Sequence, residues 1–223
     1  MGTLLELKQL TLNYKNYNTS VEVIKGIDLK INSSEKVAVV GKSGSGKTSL
    51  IMLMAGLEQP TSGEIIFDQQ LISTLNEDQL ADIRKKKIGI VFQSFYLIPN
   101  YTALENVSLI LEINSMDNSK QKAEELLIQF GLKDRLHHFP TQLSGGEQQR
   151  VAIARSMAVN PKLILADEPT GNLDSENSQM ISNLLFDYAN KNQSSFVLVT
   201  HDLKFAEKCD HIIKIEDGTI VSS

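Results

Sequence analysis

A glycine-rich loop carries the clearest chemical pattern in the sequence. Residues Gly41-Lys42-Ser43-Gly44-Ser45-Gly46-Lys47-Thr48 follow the short apolar run at residues 36–40 and match G-x-x-x-x-G-K-[ST]. In this pattern backbone N–H groups surround nucleotide phosphates, the lysine reaches the β- and γ-phosphates, and the final hydroxyl binds Mg²⁺. Apolar residues at helical spacing follow up to Gly56, so the loop is predicted to open a helix whose N-terminus also favours anions. The sequence therefore predicts a nucleotide phosphate site with Lys47 and Thr48 as its functional side chains.

Other apolar runs also end at polar groups that phosphate chemistry uses. The pairs are residues 88–91 with Gln93, residues 163–166 with Asp167 and Glu168, and residues 196–199 with His201. Continuous β-branched runs are typical of strands buried on both faces of a parallel sheet, and such sheets bind ligands beyond the carboxyl ends of their strands. We therefore expect these strand ends to share one crevice with the phosphate loop.

The residue types at these ends indicate separate roles in phosphate transfer. Asp167 closes an apolar strand and is predicted to hold Mg²⁺. Glu168 is placed to orient and deprotonate an attacking water, and His201 to contact the γ-phosphate. Gln93 is predicted to reach either Mg²⁺ or the attacking water. The predicted chemistry is hydrolysis of a nucleotide.

A second anion site is indicated by the turn Leu143-Ser144-Gly145-Gly146-Glu147. A serine before a glycine pair, at the start of a helix, exposes N–H donors at a positive helix end. This turn lies in a segment without comparable strands, away from the predicted crevice. One chain therefore offers two phosphate-binding surfaces that need not meet within one molecule.

The elements that position these groups change character along the chain. Residues 5–12, 21–24 and 27–31 predict antiparallel strands, with a hairpin loop at residues 14–20. The later apolar runs alternate with helical patterns and predict a parallel sheet. Residues 94–160 predict an inserted helical subdomain with helices at residues 119–130 and 145–159, and the basic run Arg84-Lys85-Lys86-Lys87 predicts the end of another helix. The predicted fold is a single α/β domain over residues 1–223, with a P-loop NTPase core, an N-terminal antiparallel β-subdomain and the helical subdomain.

The composition argues against several classes of protein, including nucleic-acid-binding and membrane-spanning proteins. A net charge of −5 argues against nucleic acid as the main partner, since phosphate backbones need a basic surface. A single cysteine excludes an internal disulfide. The first residues lack a signal-peptide pattern, and no apolar run reaches the length of a membrane span. We therefore expect a cytosolic protein, or one that reaches a membrane only through a partner.

Together these motifs resemble the ATPase subunit of an ATP-binding cassette (ABC) transporter, and they occur in that family's order over essentially the whole chain. The resemblance identifies residues 41–48 as Walker A, Gln93 as the Q-loop glutamine and residues 143–147 as the signature. It makes residues 163–168 Walker B, with Glu168 as the catalytic glutamate. Asn172-Leu173-Asp174 become the D-loop and His201 the switch histidine. Tyr14 matches the aromatic residue that stacks on adenine, with Tyr17 as the alternative.

The resemblance also implies ligands and partners. The implied cofactors are ATP and Mg²⁺, with Mg²⁺ held by Thr48, Gln93 and Asp167 and hydrolysis carried by Glu168, His201 and Gln93. The implied nucleotide contacts are Tyr14, Gly41, Lys42, Ser43, Gly44, Ser45, Gly46, Lys47, Thr48, Ser49, Ser144, Gly145, Gly146, Glu147 and Asp174. Two copies are expected to pack head to tail, with ATP between the phosphate loop of one and the signature of the other. Closure would drive a separate permease, which would hold the subunit at the cytoplasmic face of the bacterial inner membrane.

Residues 166–174, 92–95 and 104–107 are similar to the lipoprotein-releasing and macrolide-efflux ATPases, and to uncharacterised bacterial exporters related to them. This branch implies export, or extraction from the membrane, of a hydrophobic or lipid-linked substrate. A soluble ABC ATPase is the alternative, but it would usually show tandem cassettes or a long coiled coil. A nucleotide sensor is disfavoured because Glu168 and His201 are both present. One departure is Asp68-Gln69-Gln70, where the family commonly has a glycine in a hairpin turn.

Overall fold

The computed structural model describes residues 2–16 and 19–222. Its strands are β1 (Thr3–Asn16), β2 (Thr19–Asn32), β3 (Lys36–Val40), β4 (Ser62–Phe67), β5 (Gln70–Leu71), β6 (Ile88–Phe92), β7 (Leu163–Asp167), β8 (Ser195–Val199), β9 (His211–Glu216) and β10 (Thr219–Ser222). Its helices are α1 (Lys47–Met54), α2 (Glu77–Lys87), α3 (Ala103–Ile113), α4 (Ser119–Gln129), α5 (Gly145–Met157), α6 (Ser175–Asn192) and α7 (Leu203–Ala206). Short 3-10 turns lie at Lys133–Arg135 and Pro140–Gln142.

The larger sheet has six strands in the order β10-β9-β3-β8-β7-β6, and its pairs from β9 to β6 are parallel. The predicted apolar strands are β3, β6, β7 and β8, and their observed bounds lie within a residue of the predicted ones. Their side chains alternate between two cores. In β7, Leu163 and Leu165 pack into one core while Ile164 and Ala166 pack into the other. Burial on both faces explains the unbroken apolar runs, and the α/β prediction is confirmed.

The smaller sheet is antiparallel, with strand order β2-β1-β4-β5. The prediction of two separate strands at residues 21–24 and 27–31 is wrong, because β2 runs without interruption from Thr19 to Asn32. The predicted loop at residues 14–20 is too long, since Tyr14 pairs with Val21 across the hairpin. Register shifts and the positive φ of Gly26 (74°) break the regular alternation that a strand pattern needs. Pairing that bridges such irregularities is not visible in the sequence alone.

Residues 94–160 contain α3, α4 and α5 and, as predicted, no strand among the described residues. The helices predicted at residues 119–130 and 145–159 correspond to α4 and α5, and each ends slightly earlier than predicted. The basic run at residues 84–87 lies in the last turn of α2, where cations stabilise the helix dipole. The helices of residues 94–160 and α6 cover the face of the larger sheet opposite the antiparallel sheet. None of the helices that the structure describes combines the length and apolar composition that crossing a membrane would require.

The turn that lacks the expected glycine is the two-residue connection between β4 and β5. Asp68 and Gln69 both have positive φ, 50° and 66°, which is the backbone of a type I′ turn. Aspartate tolerates this conformation better than most residues. The Asp68 carboxylate accepts hydrogen bonds from Lys87 at 2.7 Å and from Lys162 at 2.9 Å, and these lysines hold its pKa below its usual value. Two ion pairs therefore stabilise a turn whose backbone conformation would otherwise favour glycine.

Candidate active site

The loop between β3 and α1 has glycine at three positions where a side chain would be strained or would clash. Gly44 and Gly46 have φ values of 80° and 100°. A Cβ on Gly41 would lie 2.3 Å from the Ile215 carbonyl oxygen, and one on Gly46 would lie 2.9 Å from the Val23 carbonyl oxygen. Both neighbours are backbone atoms of adjacent strands and have little room to yield. The glycines therefore let the loop turn closely against β2 and β9 and deliver its N–H groups to the start of α1.

The Lys47 ammonium lies inside the curve of this loop. Its Nζ donates hydrogen bonds to the carbonyl oxygens of Gly41 and Lys42, each at 2.8 Å, and the residue is 9% exposed. The neighbouring Ser45 hydroxyl is buried and has no hydrogen-bond partner among the described residues. The Lys47 cation thus lines a loop that already presents backbone donors, which is an arrangement that favours an anion.

Asp167, at the end of β7, faces the start of α1. It is 8% exposed, and within the described ranges its Oδ1 has no hydrogen-bond partner. Burial raises the pKa of this carboxyl, and the nearby Thr48 hydroxyl partly offsets that effect. The adjacent Glu168 charge also raises the pKa, whereas Lys47 lowers it. Asp167 and Thr48 therefore form a small oxygen-rich pair beside the loop lysine.

Glu168 projects from the end of β7 in a strained conformation. Its φ is 47°, in the left-handed region that residues with side chains rarely adopt. Its N–H donates to the Val199 carbonyl at 2.9 Å, and its own carbonyl accepts from the Gly171 N–H at 3.0 Å. The side chain is held by His201, whose Nδ1 lies 2.9 Å from Glu168 Oε2. The turn thus aims a carboxylate at the crevice and pairs it with an imidazole.

Gln93 follows β6 and is hydrogen-bonded to the segment after Glu168. Its Nε2 donates to Asn172 Oδ1 at 3.2 Å, and Asn172 Nδ2 donates back to the Gln93 carbonyl at 3.2 Å. A Cβ on Gly171 would lie 2.8 Å from Gln93 Nε2, so a side chain at position 171 would displace the Gln93 amide from this position. The Gln93 side chain is therefore bonded to Asn172 of the predicted D-loop.

These groups surround one open cavity of about 530 Å³. Its lining consists of Tyr14, Val23, Gly41, Ser43, Gly44, Gly46, Lys47, Thr48, Ser49, Gln93, Asp167, Glu168 and His201. The Tyr14 ring is 46% exposed, and its hydroxyl donates to Glu58 Oε2 at 3.4 Å. The volume suits a small ligand, and the lining includes both an exposed aromatic ring and the phosphate loop. The sequence analysis missed Val23, which lines the cavity, and Glu58, which contacts Tyr14, because nothing in the local sequence pattern marks either residue as part of this region.

The signature turn is not part of this cavity. Ser144 caps α5: its Oγ accepts from the Glu147 N–H at 3.3 Å, and Glu147 Oε2 accepts from the Ser144 N–H at 2.8 Å. Arg135 Nε donates to the other Glu147 oxygen at 2.7 Å. In the part of the chain that the structure describes, residues 144–147 and Asp174, the N-cap of α6, do not line the cavity. Tyr17, the alternative adenine-stacking residue, lies outside the described residues.

Comparison with known proteins places the chain in one family. A family described as "ABC transporter" matches residues 24–171. The chain is 42% identical to the lipoprotein-releasing system ATP-binding protein LolD of Idiomarina loihiensis, with 97% of this chain and 96% of the relative covered. It is also 44% identical to the macrolide export ATP-binding/permease protein MacB of Pasteurella multocida, of which it covers 34%.

Solved structures agree with this placement. The ATP-binding cassette MJ0796, in a dimeric post-hydrolysis state bound to ADP and Pi, superposes with a TM-score of 0.93 at 40% identity, covering 98% of this chain and 97% of that one. A second dimeric structure of MJ0796, described as a bacterial ABC transporter cassette, gives the same values. The loop, the strand ends and these likenesses together show that the chain belongs to the ABC transporter family, as one of its ATP-binding and ATP-hydrolysing cassettes.

Proposed function

We propose that the chain is the ATPase subunit of a bacterial transporter whose ATP-driven dimer closure moves a separate permease. The observation that carries this proposal is the separation of the phosphate-loop cavity from the Ser144 turn within one molecule. Two copies packed head to tail would bring these surfaces together on one nucleotide. The dimeric state of the MJ0796 cassette supports this arrangement. In this proposal residues 1–223 act as one cassette, with residues 94–160 as its helical subdomain.

The substrate class is proposed from the relatives. LolD belongs to a lipoprotein-releasing system, and MacB is a macrolide export protein. We infer export, or extraction from the membrane, of a hydrophobic or lipid-linked substrate. The permease would hold the subunit at the cytoplasmic face of the inner membrane.

Nucleotide binding would use the groups that line the cavity. The Tyr14 ring would stack on the adenine base, and the loop of residues 41–48 with Ser49 would surround the phosphates. Lys47 would exchange its bonds to loop carbonyls for bonds to the β- and γ-phosphate oxygens. Ser144 to Glu147 and Asp174 would serve the nucleotide of the opposite copy.

A magnesium site fits the residues beside the loop. The buried Asp167 Oδ1 lacks a partner among the described residues, and the Thr48 hydroxyl is adjacent to the same carboxyl. Oxygen ligands of this kind suit Mg²⁺, which keeps few protein ligands and takes the rest from water and phosphates. Gln93 would complete the protein's contribution. When bound, the ion would offset charge on the β- and γ-phosphates.

Hydrolysis would rest on Glu168 as the base that takes a proton from the attacking water. The left-handed turn and the His201 contact fix where this carboxylate points. His201 would then contact the γ-phosphate when the carboxylate engages water. Gln93, on the neighbouring strand end, would help to position that water.

The shared-site arrangement is tested by Ser144→Arg, made in a Glu168→Gln background that retains ATP. The bulky cation should block closure, so sedimentation in ATP should show a monomer where Glu168→Gln alone shows a dimer. Binding of a fluorescent ATP analogue to the monomer should stay within about twofold, because Ser144 does not line the cavity of its own chain. Loss of the N-cap should cost only about 1 kcal/mol, which thermal unfolding would register.

Thr74→Arg, made in the same Glu168→Gln background, is the matched control, since it exchanges a hydroxyl residue for the same cation at an exposed position away from the cavity. It should leave the dimer intact. Equal loss of dimer and of monomer binding in Ser144→Arg would mean that Ser144 acts within its own chain, and the shared site would have to be abandoned.

A further inference from the structure

A fully buried glutamine lies in the middle of the helix that begins at the signature turn. Gln149 of α5 is 0% exposed. Its Nε2 donates to the Pro169 carbonyl at 2.7 Å and to the Phe92 carbonyl at 3.3 Å. Because both partners are acceptors, the amide nitrogen must face them. Its Oε1 is buried without a partner in the described part of the chain, so the contribution of this side chain is the two hydrogen bonds that Nε2 donates.

The two carbonyls belong to the backbone next to the hydrolytic groups. Phe92 directly precedes Gln93, and Pro169 directly follows Glu168. One amide group thus joins the end of β6, the end of β7 and α5. In a buried, low-dielectric setting such bonds are strong, and removing the donor would leave both carbonyls without it.

A second side chain ties the same helix to the segment after Gln93. Arg155 donates from Nη2 to the Phe95 carbonyl at 3.0 Å and from Nη1 to the Tyr96 carbonyl at 2.6 Å. Burial lowers the pKa of this guanidinium. Backbone carbonyls on both sides of Gln93 are therefore held by α5. Of these two side chains, Gln149 is the one that also reaches the Glu168 side of the site.

We propose that Gln149 is a positioning residue for ATP hydrolysis. Its amide fixes the backbone of Gln93 relative to that of Glu168, and fixes both relative to the helix whose N-terminus carries Ser144. It does not line the nucleotide cavity, so it acts through the groups it holds. A displacement of about 1 Å in a catalytic group costs on the order of 10²-fold in rate, so loose strand ends should slow turnover without weakening nucleotide binding. This inference rests on the proposed role of Glu168 and Gln93.

The first test replaces Gln149 with methionine, which is nearly isosteric and cannot donate. In the full chain, kcat for ATP should fall roughly 10- to 100-fold while KM changes by less than about threefold. Gln129→Met is the control: it makes the same chemical change at an exposed position of α4, outside both the cavity and the signature turn. Its kcat should stay within about twofold of the unmodified chain. Unchanged kcat per folded molecule in Gln149→Met, even with a lower melting temperature, would overturn the proposal.

A second variant separates hydrogen bonding from packing. Gln149→Glu keeps the shape, and its carboxyl donates one hydrogen bond only when protonated. Burial against two carbonyls should raise the pKa of this carboxyl well above its usual value. The ratio of kcat for Gln149→Glu to kcat for Gln149→Met should therefore be high at low pH and fall as pH rises through that pKa. A ratio that stays near one across the pH range of activity would contradict a role for the donor.

Failure of the underlying function would look different from failure of this inference. If the unmodified chain and Gln129→Met both lacked ATP hydrolysis, the proposed function itself would be wrong. An active unmodified chain with an equally active Gln149→Met would reject only the positioning role.

Discussion

Glu168→Gln should abolish turnover while leaving ATP bound. The amide keeps the size of the side chain and a contact for His201, but it cannot take a proton from water. General-base catalysis contributes roughly 10²- to 10⁴-fold, so kcat should fall by that range. Because the γ-phosphate then stays in place, the protein should sediment as a dimer in ATP and as a monomer without it. Steady-state phosphate release and sedimentation measure the two effects.

Glu124→Gln is the control for this experiment. It makes the same chemical change at an exposed position of α4 that does not line the cavity. Its turnover should match that of the unmodified chain. Residual hydrolysis by Glu168→Gln above about a tenth of normal would assign the base to another group.

Lys47→Ala should remove both hydrolysis and most of the affinity for ATP. The ammonium is the fixed positive charge inside the loop, and hydrogen bonds to charged groups contribute about 1.5–3 kcal/mol each. Loss of such contacts to two phosphates predicts a Kd raised by about 10²-fold or more, measured by titration calorimetry. The methyl side chain also releases the carbonyls of Gly41 and Lys42, so the loop itself should loosen.

Lys120→Ala, at an exposed position of α4, tests whether loss of any positive charge has this effect. It should bind ATP normally. Unaltered affinity in Lys47→Ala would contradict the assignment of the loop as the phosphate site.

The parts of the molecule that sequence predicts well are those with strong local rules. In the phosphate loop, fixed positions have left-handed φ values or too little room for a side chain. Glycine is required at those positions, so the requirement is visible in the sequence motif. The ends of β6, β7 and β8 are predictable because strands buried on both faces read as unbroken apolar runs. Parallel alignment then places Gln93, Glu168 and His201 at one edge without further information.

What the sequence does not reveal depends on contacts between distant segments. The sequence pattern divides β2 because its bulged, partly exposed pairing with β1 leaves no regular alternation. Gln149 escapes sequence analysis because a polar residue in a helix is ordinarily exposed. A signal does exist: Gly146, Ile153 and Met157 lie at helical spacing from position 149, so the buried face of α5 includes a glutamine. Its two acceptors cannot be named from sequence, because they depend on how α5 crosses the strand ends.

The left-handed backbone conformation of Glu168 lowers folding stability at the residue proposed to carry hydrolysis. Holding a residue with a side chain at a φ of 47° costs roughly 1 kcal/mol or more, and glycine would adopt the same φ without that penalty. Substitution of Glu168 by glycine should therefore raise thermal stability, although it removes the carboxylate. In the proposed mechanism this carboxylate is required for turnover, so attempts to stabilise the protein should leave position 168 unchanged.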